Sequence, residues 1–92
     1  MQNIRLKVIN EAGLHARPAA EFVKMAAQFK CKLTVRNTTK DSAGVDAKSI
    51  LSVLTLGVEK NHEIDLSAEG EDEMQAIQSL RDLIESDFTG KF

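Results

Sequence analysis

In the stretch NIRLKVINEAGLHARPAAEFVKMAAQF, residues 3–29, the spacing of the apolar residues changes partway along. This change predicts the first secondary-structure elements of the chain. Over residues 3–9 apolar and charged side chains alternate, which is typical of a strand with one buried face. From Ala16 to Phe29 the apolar residues recur at helical spacing instead. Gly13 and His15 stand where the period changes, so we expect a strand, a tight turn and then a helix.

The rest of the chain repeats these two patterns. CKLTVRN at residues 31–37 and HEIDLSA at 62–68 alternate like strands, and an extended piece is expected around Val45 after a turn-rich segment. AKSILSVLTLG at 47–57 suits a short helix, and 71–86 predicts a last one. That helix would place these residues on one face: Met74, Ile77, Leu80 and Ile84. The order β-α-β-β-α-β-α favours an α+β fold, an antiparallel sheet of four strands with three helices covering one face.

Composition excludes several classes of protein. The 92 residues suffice for a single domain, expected to span 1–92. The net charge of −2 does not favour binding to the negatively charged backbone of nucleic acid. No apolar run is long enough to cross a membrane, and the first residues do not show the basic segment followed by an apolar stretch that is typical of a signal peptide, so we expect none. The single Cys31 cannot form an internal disulfide, which favours a cytoplasmic location. No motif predicts a metal site, a nucleotide loop or a cofactor.

The entrance of the first helix concentrates residues suited to holding an anion. The first turn of a helix has unpaired N–H groups and partial positive charge, both of which attract phosphate. Pro18 favours helix initiation, and Gly13 can take the positive φ that the turn requires. We expect His15 at or next to the N-cap, beside the N–H groups of Ala16 and Arg17, whose guanidinium fits phosphate oxygens.

Two interpretations of His15 follow from these residues alone. It is either a solvated capping residue or a ring that accepts, holds and releases a phosphoryl group.

A resemblance to a known family favours the second interpretation. GLHARPAAEFVKMA resembles the active-site signature of HPr, the histidine-containing phosphocarrier family of the bacterial phosphotransferase system. VDAKSILSVLTLGV resembles the family's second signature, a short helix with a serine, and EGEDEMQAIQSLRDLIES resembles its last helix. The resemblance covers essentially the whole chain and implies the family's open-faced β-sandwich.

The resemblance also implies roles for individual residues. His15 would take phosphate on Nδ1 from phosphorylated enzyme I and pass it to sugar-specific or nitrogen-branch enzyme II A-type proteins, with Arg17 and the N–H groups of Ala16 and Arg17 neutralising it. Ser49 would be the target of an HPr kinase/phosphorylase. The partner-binding surface would consist of Ala20, Lys24, Lys48, Ile50, Leu51 and Leu54.

The region around Ser49 departs from the family pattern. The segment 37–43 is slightly longer than in typical members, and Ser52 stands where many kinase-regulated members have glycine. VDAKSIL predicts Asp46 as the N-cap of the short helix and Ser49 within its first turn.

The remaining polar residues predict no further site. His62, in the polar turn EKNHE, is expected to be solvated, and Cys31 to be a small packing residue. Glu11 is interpreted as a plain loop acid. Four acids near the last helix are expected to be solvated charges that favour its dipole: Glu69, Glu71, Asp72 and Glu73.

Three classes of function are therefore compared. The first is a phosphoryl-group carrier with a phosphohistidine intermediate, rather than a stand-alone catalyst. This carrier is expected to be a monomer. The second is a regulatory module that partners read through the phosphorylation state of Ser49, without flux through His15. The third is a small enzyme such as an acyl-phosphate hydrolase, which a chain this short has little room to support. The residues and the resemblance favour the first class.

Overall fold

The computed structural model describes residues 1–86 and residue 88, which form one sheet and three helices. The elements in chain order are β1 (Gln2–Lys7), α1 (Ala16–Ala26), β2 (Lys32–Asn37), β3 (Val45–Asp46), α2 (Ile50–Thr55), β4 (Glu63–Glu69) and α3 (Glu73–Glu85). The predicted order and types of the elements are confirmed.

The four strands form one antiparallel sheet in the order β1-β4-β2-β3. In the register of β4, Leu66 lies opposite Ile4 on one side and Val35 on the other. The short β3 continues the sheet only through Val45 and Asp46. Because side chains alternate along each strand, this register places the apolar residues of neighbouring strands on the same face.

One face of the sheet forms the core with the helices. The buried strand residues are Leu6, Leu33, Val35, Ile64, Leu66 and Ala68. The helices bury Ala19, Phe22, Ala26, Val53, Ala76, Leu80, Leu83 and Ile84 against them. Hydrophobic burial on this face is the main force that holds the helices to the sheet.

The opposite face of the sheet is polar and open to solvent. At its centre Asp65 accepts hydrogen bonds from Arg5 at 2.8 and 3.2 Å and from Arg36 at 3.4 Å. The bond from Arg5 is the main reason that the pKa of the Asp65 carboxyl is lowered. The predicted architecture, a four-stranded antiparallel sheet with three helices on one face, is confirmed.

Several predicted details of the helices are wrong. α1 ends at Ala26, because the chain turns there and the N–H of Phe29 bonds to the Ala26 carbonyl at 3.2 Å. On α3, Met74 is 69% exposed, and Ala76 and Leu83 join Leu80 and Ile84 in the core instead. Within residues 1–86 and 88, no helix is long and apolar enough to span a membrane.

Candidate functional site

The turn before α1 depends on a glycine at residue 13. Gly13 has φ +58°, a conformation that L side chains rarely adopt. A methyl group on its Cα would lie 2.2 Å from the carbonyl oxygen of Val58. The next residue, Leu14, is fully buried and donates its N–H to that same oxygen at 2.9 Å. The turn is therefore pressed directly against the chain that follows α2.

His15 is the N-cap of α1, as predicted. Its backbone is extended, with φ −111° and ψ 158°, and its N–H bonds to the Ala12 carbonyl at 3.2 Å. The side chain is exposed and makes no capping hydrogen bond. The imidazole nitrogens thus stay accessible beside the start of the helix, as a ring that accepts a group from another protein requires.

The backbone at Ala16 was not anticipated from the sequence. Ala16 has φ +47°, in the left-handed region that costs an L-residue roughly 1–2 kcal/mol. Strained backbone of this kind clusters at functional sites. An alanine gives no sequence signal of a positive φ.

Arg17 lies in the first turn of α1 with an exposed side chain. Across the described part of the chain, no carboxylate or carbonyl pairs with its guanidinium. The N–H groups of Ala16 and Arg17 lack an i−4 partner by the geometry of a helix start. The unpaired cation of Arg17, the helix dipole and the unpaired N–H donors therefore lie beside His15, where a phosphate would be stabilised.

Ser49 is the N-cap of α2, and the prediction that Asp46 caps this helix is wrong. The Ser49 hydroxyl oxygen accepts from the N–H of Ser52 at 3.4 Å, and the helix begins at Ile50. Asp46 belongs to β3 instead, and its carboxylate accepts the N–H of Lys48 at 2.9 Å. The strand pairing of Asp46 moves the helix start three residues further along the chain.

α2 divides its apolar residues between core and surface. Val53 is fully buried and Leu56 nearly so. Leu51 is 74% exposed, whereas Ile50 and Leu54 are each 37% exposed. We call Ile50, Leu51 and Leu54 the α2 patch. The expectation that some apolar residues of this helix face solvent is confirmed, and an exposed apolar patch is typical of a binding surface.

The other predicted partner-binding residues lie on or next to α1. Ala20 and Lys24 are exposed on α1, which packs against α2. Lys48 is half-buried, and its ammonium donates to the Phe29 carbonyl at 2.6 Å. Lys48 therefore joins the start of α2 to the end of α1. Its charge is already engaged before any partner binds.

His62 is not a simple solvated residue, so that prediction is wrong. Its Nδ1 accepts the N–H of Glu59 at 3.1 Å, which requires the ring proton to be on Nε2, and lies 3.2 Å from the amide nitrogen of Asn37. Asn37 is fully buried and also donates to the Leu56 carbonyl at 3.1 Å. His62 is thus half-buried in a network that fixes the turn after α2. A buried asparagine in a turn-rich segment gave no sequence signal for this network.

Two acids expected to be solvated also have structural roles. Asp72 accepts the N–H groups of Lys30 and Cys31 at 2.8 and 2.9 Å, and the bond from Lys30 contributes most to its lowered pKa. Glu73 bonds to the N–H of Gly70 at 3.1 Å, and this bond lowers its pKa.

Cys31 is buried, as expected of a packing residue, and burial raises the pKa of its thiol. Glu11 is an exposed loop acid that pairs with Lys60 at 2.7 Å. That hydrogen bond from Lys60 lowers the Glu11 pKa. Neither residue is joined to His15 by a hydrogen bond or ion pair. Among the described residues, no group of three His, Cys, Asp or Glu side chains could hold a metal ion.

Comparison with known proteins agrees with this geometry. Residues 3–86 match the family model described as the PTS HPr component phosphorylation site. The phosphocarrier protein HPr of Pseudomonas aeruginosa is 38% identical over 88 residues, which cover 96% of each chain. The crystal structure of HPr-C-His from Thermoanaerobacter tengcongensis is 44% identical, with a TM-score of 0.91 over 100% of each chain.

Longer proteins contain a similar segment. The multiphosphoryl transfer protein of Haemophilus influenzae is 48% identical over 71 residues, or 77% of this chain. The chain spans only 14% of that protein's length. The match over residues 3–86, together with the shared fold and the exposed histidine at the start of α1, places the chain in the HPr family of the phosphotransferase system.

Proposed function

We propose that this protein is a phosphocarrier that accepts a phosphoryl group on His15 from phosphorylated enzyme I. It then passes the group to sugar-specific or nitrogen-branch enzyme II A-type proteins. One observation carries the proposal: the His15 ring is exposed and free of capping bonds at the start of α1, with the unpaired guanidinium of Arg17 in the same turn. His15 belongs to the segment that matches the phosphorylation-site model.

The chemistry requires little beyond positioning and charge. The lone pair of a neutral His15 ring nitrogen attacks the phosphorus of the donor phosphohistidine, the donor's P–N bond breaks and a new P–N bond forms. By the family resemblance that nitrogen is Nδ1. Arg17 and the N–H groups of Ala16 and Arg17 stabilise the charge on the phosphoryl oxygens as it passes. In the onward transfer the roles are exchanged: a nucleophile of the acceptor protein attacks the phosphorus, and the P–N bond to His15 breaks.

The α2 patch provides the docking surface in this proposal. Ile50, Leu51 and Leu54 are exposed on a helix that packs against α1, so a partner that covers the patch also reaches the surface of α1. Ala20 and Lys24 extend the contact on α1, and Lys48 borders it. A small patch with a polar surround suits partners that bind briefly and dissociate.

The test is direct transfer. The protein is mixed with enzyme I and labelled phosphoenolpyruvate, and we expect phosphate that is labile in acid, stable in alkali and mapped to His15. The His15→Ala variant should take no label and melt like the parent, because the exposed ring fills no cavity. Undiminished labelling of His15→Ala, or an unlabelled parent, would contradict the proposal.

The similarity to phosphocarrier proteins does not favour the alternative, a purely regulatory module. Ser49 caps α2 immediately before the α2 patch, so phosphorylation by an HPr kinase/phosphorylase would add charge where partners dock. The module would then act through Ser49 without flux through His15. Phosphate on His15 from enzyme I separates the two candidates, because only the carrier requires it.

The proposal also includes a cytoplasmic monomer that needs no cofactor and binds neither nucleic acid nor membrane. A crystal structure of an HPr dimer from Thermoanaerobacter tengcongensis, 46% identical to this chain, makes a dimer the alternative. Light scattering across a range of concentrations tests the monomer, which is expected to keep a mass near 10.1 kDa.

A further inference from the structure

Only two of the residues that the structure describes are both buried and polar, and both are asparagines. Asn37 is fully satisfied: its amide nitrogen has two partners, and its oxygen accepts the N–H groups of Thr39 and Lys40 at 3.1 and 3.3 Å. Its four bonds hold a turn in shape. Asn37 is therefore explained by stability alone.

Asn10 is held differently. It is 6% exposed, and its amide nitrogen donates to the Gly13 carbonyl at 2.8 Å. No donor from the described residues faces its buried side-chain oxygen. The hydrogen bonding of this side chain within the protein is thus concentrated on one acceptor, the carbonyl of Gly13.

That acceptor lies in the backbone leading to His15. The peptide group joining Gly13 to Leu14 is fixed at both ends: Asn10 holds its oxygen at 2.8 Å, and Val58 accepts its N–H at 2.9 Å. The backbone oxygen of Asn10 also accepts the Gly13 N–H at 3.1 Å, which closes the turn from the other side. The path of the chain is therefore determined two residues before His15.

The backbone before His15 must be fixed because the structure shows no hydrogen bond or ion pair from a described residue that would hold the ring itself. The His15 side chain makes no capping bond, and no carboxylate of residues 1–86 forms an ion pair with it. The position of the ring is therefore determined by the backbone conformation of the turn that precedes it. In-line transfer requires the attacking nitrogen to be placed accurately, and an error of 1 Å can cost on the order of 100-fold in rate.

We propose that Asn10 is a positioning residue for phosphoryl transfer: it fixes the Gly13–Leu14 peptide and, through it, the location of His15. The proposal rests on the proposed carrier function. It concerns the rate within the complex with the phosphoryl donor rather than docking, since Asn10 is buried and lies outside the α2 patch.

The test uses Asn10→Leu, which keeps the approximate shape and removes the donor. Initial rates of phosphorylation by phosphorylated enzyme I should give a kcat at least about tenfold below that of the parent, with KM within about twofold. The matched control is Glu11→Gln in the same turn, an exposed residue that does not bond to Gly13, and it should resemble the parent.

Hydrogen exchange separates positioning from general stability. In Asn10→Leu the Leu14 amide should exchange at least about tenfold faster, because the peptide that carries it is no longer held at its oxygen. The Ile64 amide of the central strand β4 should exchange as in the parent. Equal acceleration of both amides, or a kcat within twofold of the parent, overturns the proposal.

If Asn10→Leu does not fold, Asn10→Ala is measured by the same two readouts. Loss of the fold in both variants also overturns the proposal, since Asn10 then serves stability. If the parent itself takes no phosphate from enzyme I, the carrier function fails. The exchange of the Leu14 amide still tests whether Asn10 fixes this peptide.

Discussion

The turn that carries His15 rests on the contact between Gly13 and Val58. A Cβ atom at residue 13 would meet the Val58 carbonyl oxygen at 2.2 Å and the Cα of Glu59 at 2.7 Å. Both atoms belong to the backbone and cannot rotate away. The turn before α1 and the chain after α2 thus fit together only when residue 13 lacks a side chain.

We therefore predict that Gly13→Ala destabilises the protein by about 3 kcal/mol or more, from the left-handed φ and the backbone clash together. Phosphorylation of His15 should fall even in the molecules that remain folded, because the turn must move away from Val58. Urea unfolding followed by circular dichroism measures the first effect.

Gly57→Ala is the matched control for this prediction. Gly57 has the same φ of +58°, but its nearest neighbour is the flexible end of Lys40 at 3.0 Å. The control should cost about 1–2 kcal/mol, from backbone conformation alone. If the two alanine variants are equally stable, the contact with Val58 does not constrain the turn.

How far the sequence predicts this protein depends on the kind of interaction. The alternating strand at residues 3–9 and the helical pattern from Ala16 are local, and both are found close to where they were expected. The residues proposed for the site are also local, because Gly13, His15 and Arg17 lie within five residues of the chain. Patterns with a period of two or 3.6 carry this information directly.

What the sequence did not predict depends on contacts between distant segments. Asn37 donates to the carbonyl of Leu56, 19 residues away, and its amide nitrogen lies 3.2 Å from Nδ1 of His62, 25 residues away. The bond from Asn10 to Gly13 is local, but the burial of Asn10 depends on the folded chain. The cap of α2 was misplaced because Asp46 and Ser49 are equally good N-cap residues. Strand pairing of Asp46 with Thr34 decides between them.

Arg17 should affect the reaction without affecting the fold. Arg17→Ala removes a charge-assisted contact to the phosphoryl group, so phosphorylation and onward transfer should both slow by about ten- to 100-fold. The melting temperature should not change, because the exposed guanidinium pairs with nothing in the described chain. Lys7→Ala, which removes an exposed cation of β1 outside the proposed docking surface, is the control and should slow the reaction much less. Equal rates for Arg17→Ala and the parent would exclude a role in binding phosphate.

Two substitutions on α2, one in the α2 patch and one in the core, should distinguish an effect on docking from an effect on stability. Leu51→Glu should raise the KM for phosphorylation by enzyme I about tenfold or more and leave the melting temperature within about two degrees, since Leu51 is 74% exposed. Val53→Glu, two residues along, buries a charge in the core and should unfold the protein. A large drop in the melting temperature of Leu51→Glu would mean that this residue belongs to the core.

Asp72 should make stability depend on pH. Its folded-state pKa lies below the ordinary value of 3.8, so its contribution is present above that value and is lost as the pH falls through the lowered pKa. Asp72→Asn should therefore lower the melting temperature at neutral pH, and the gap to the parent should narrow as the pH falls below about 4. Thermal melts across this range measure the gap. A gap that stays constant would show that ionisation of Asp72 does not stabilise the link to Lys30 and Cys31.

Charge at Ser49 should weaken the carrier without unfolding α2. Aspartate is a good N-cap residue, so Ser49→Asp should keep the helix, and its negative charge is favoured at a helix N-terminus. Partners that bury Ile50 and Leu51 would then meet a strongly hydrated group beside the α2 patch. We expect a higher KM for phosphorylation by enzyme I, with circular dichroism unchanged.

The matched control is Ser49→Asn, which caps a helix equally well but adds no charge. If Ser49→Asn raises the KM as much as Ser49→Asp, the effect comes from shape and the electrostatic explanation fails. Phosphoserine carries roughly −1.5 to −2 charges, so it should act more strongly than aspartate. Treatment with an HPr kinase/phosphorylase and ATP, followed by mass mapping, determines whether Ser49 is a substrate. The Ser49 hydroxyl serves α2 only as the acceptor of one 3.4 Å bond from Ser52, so its proton remains available for exchange with a phosphoryl group.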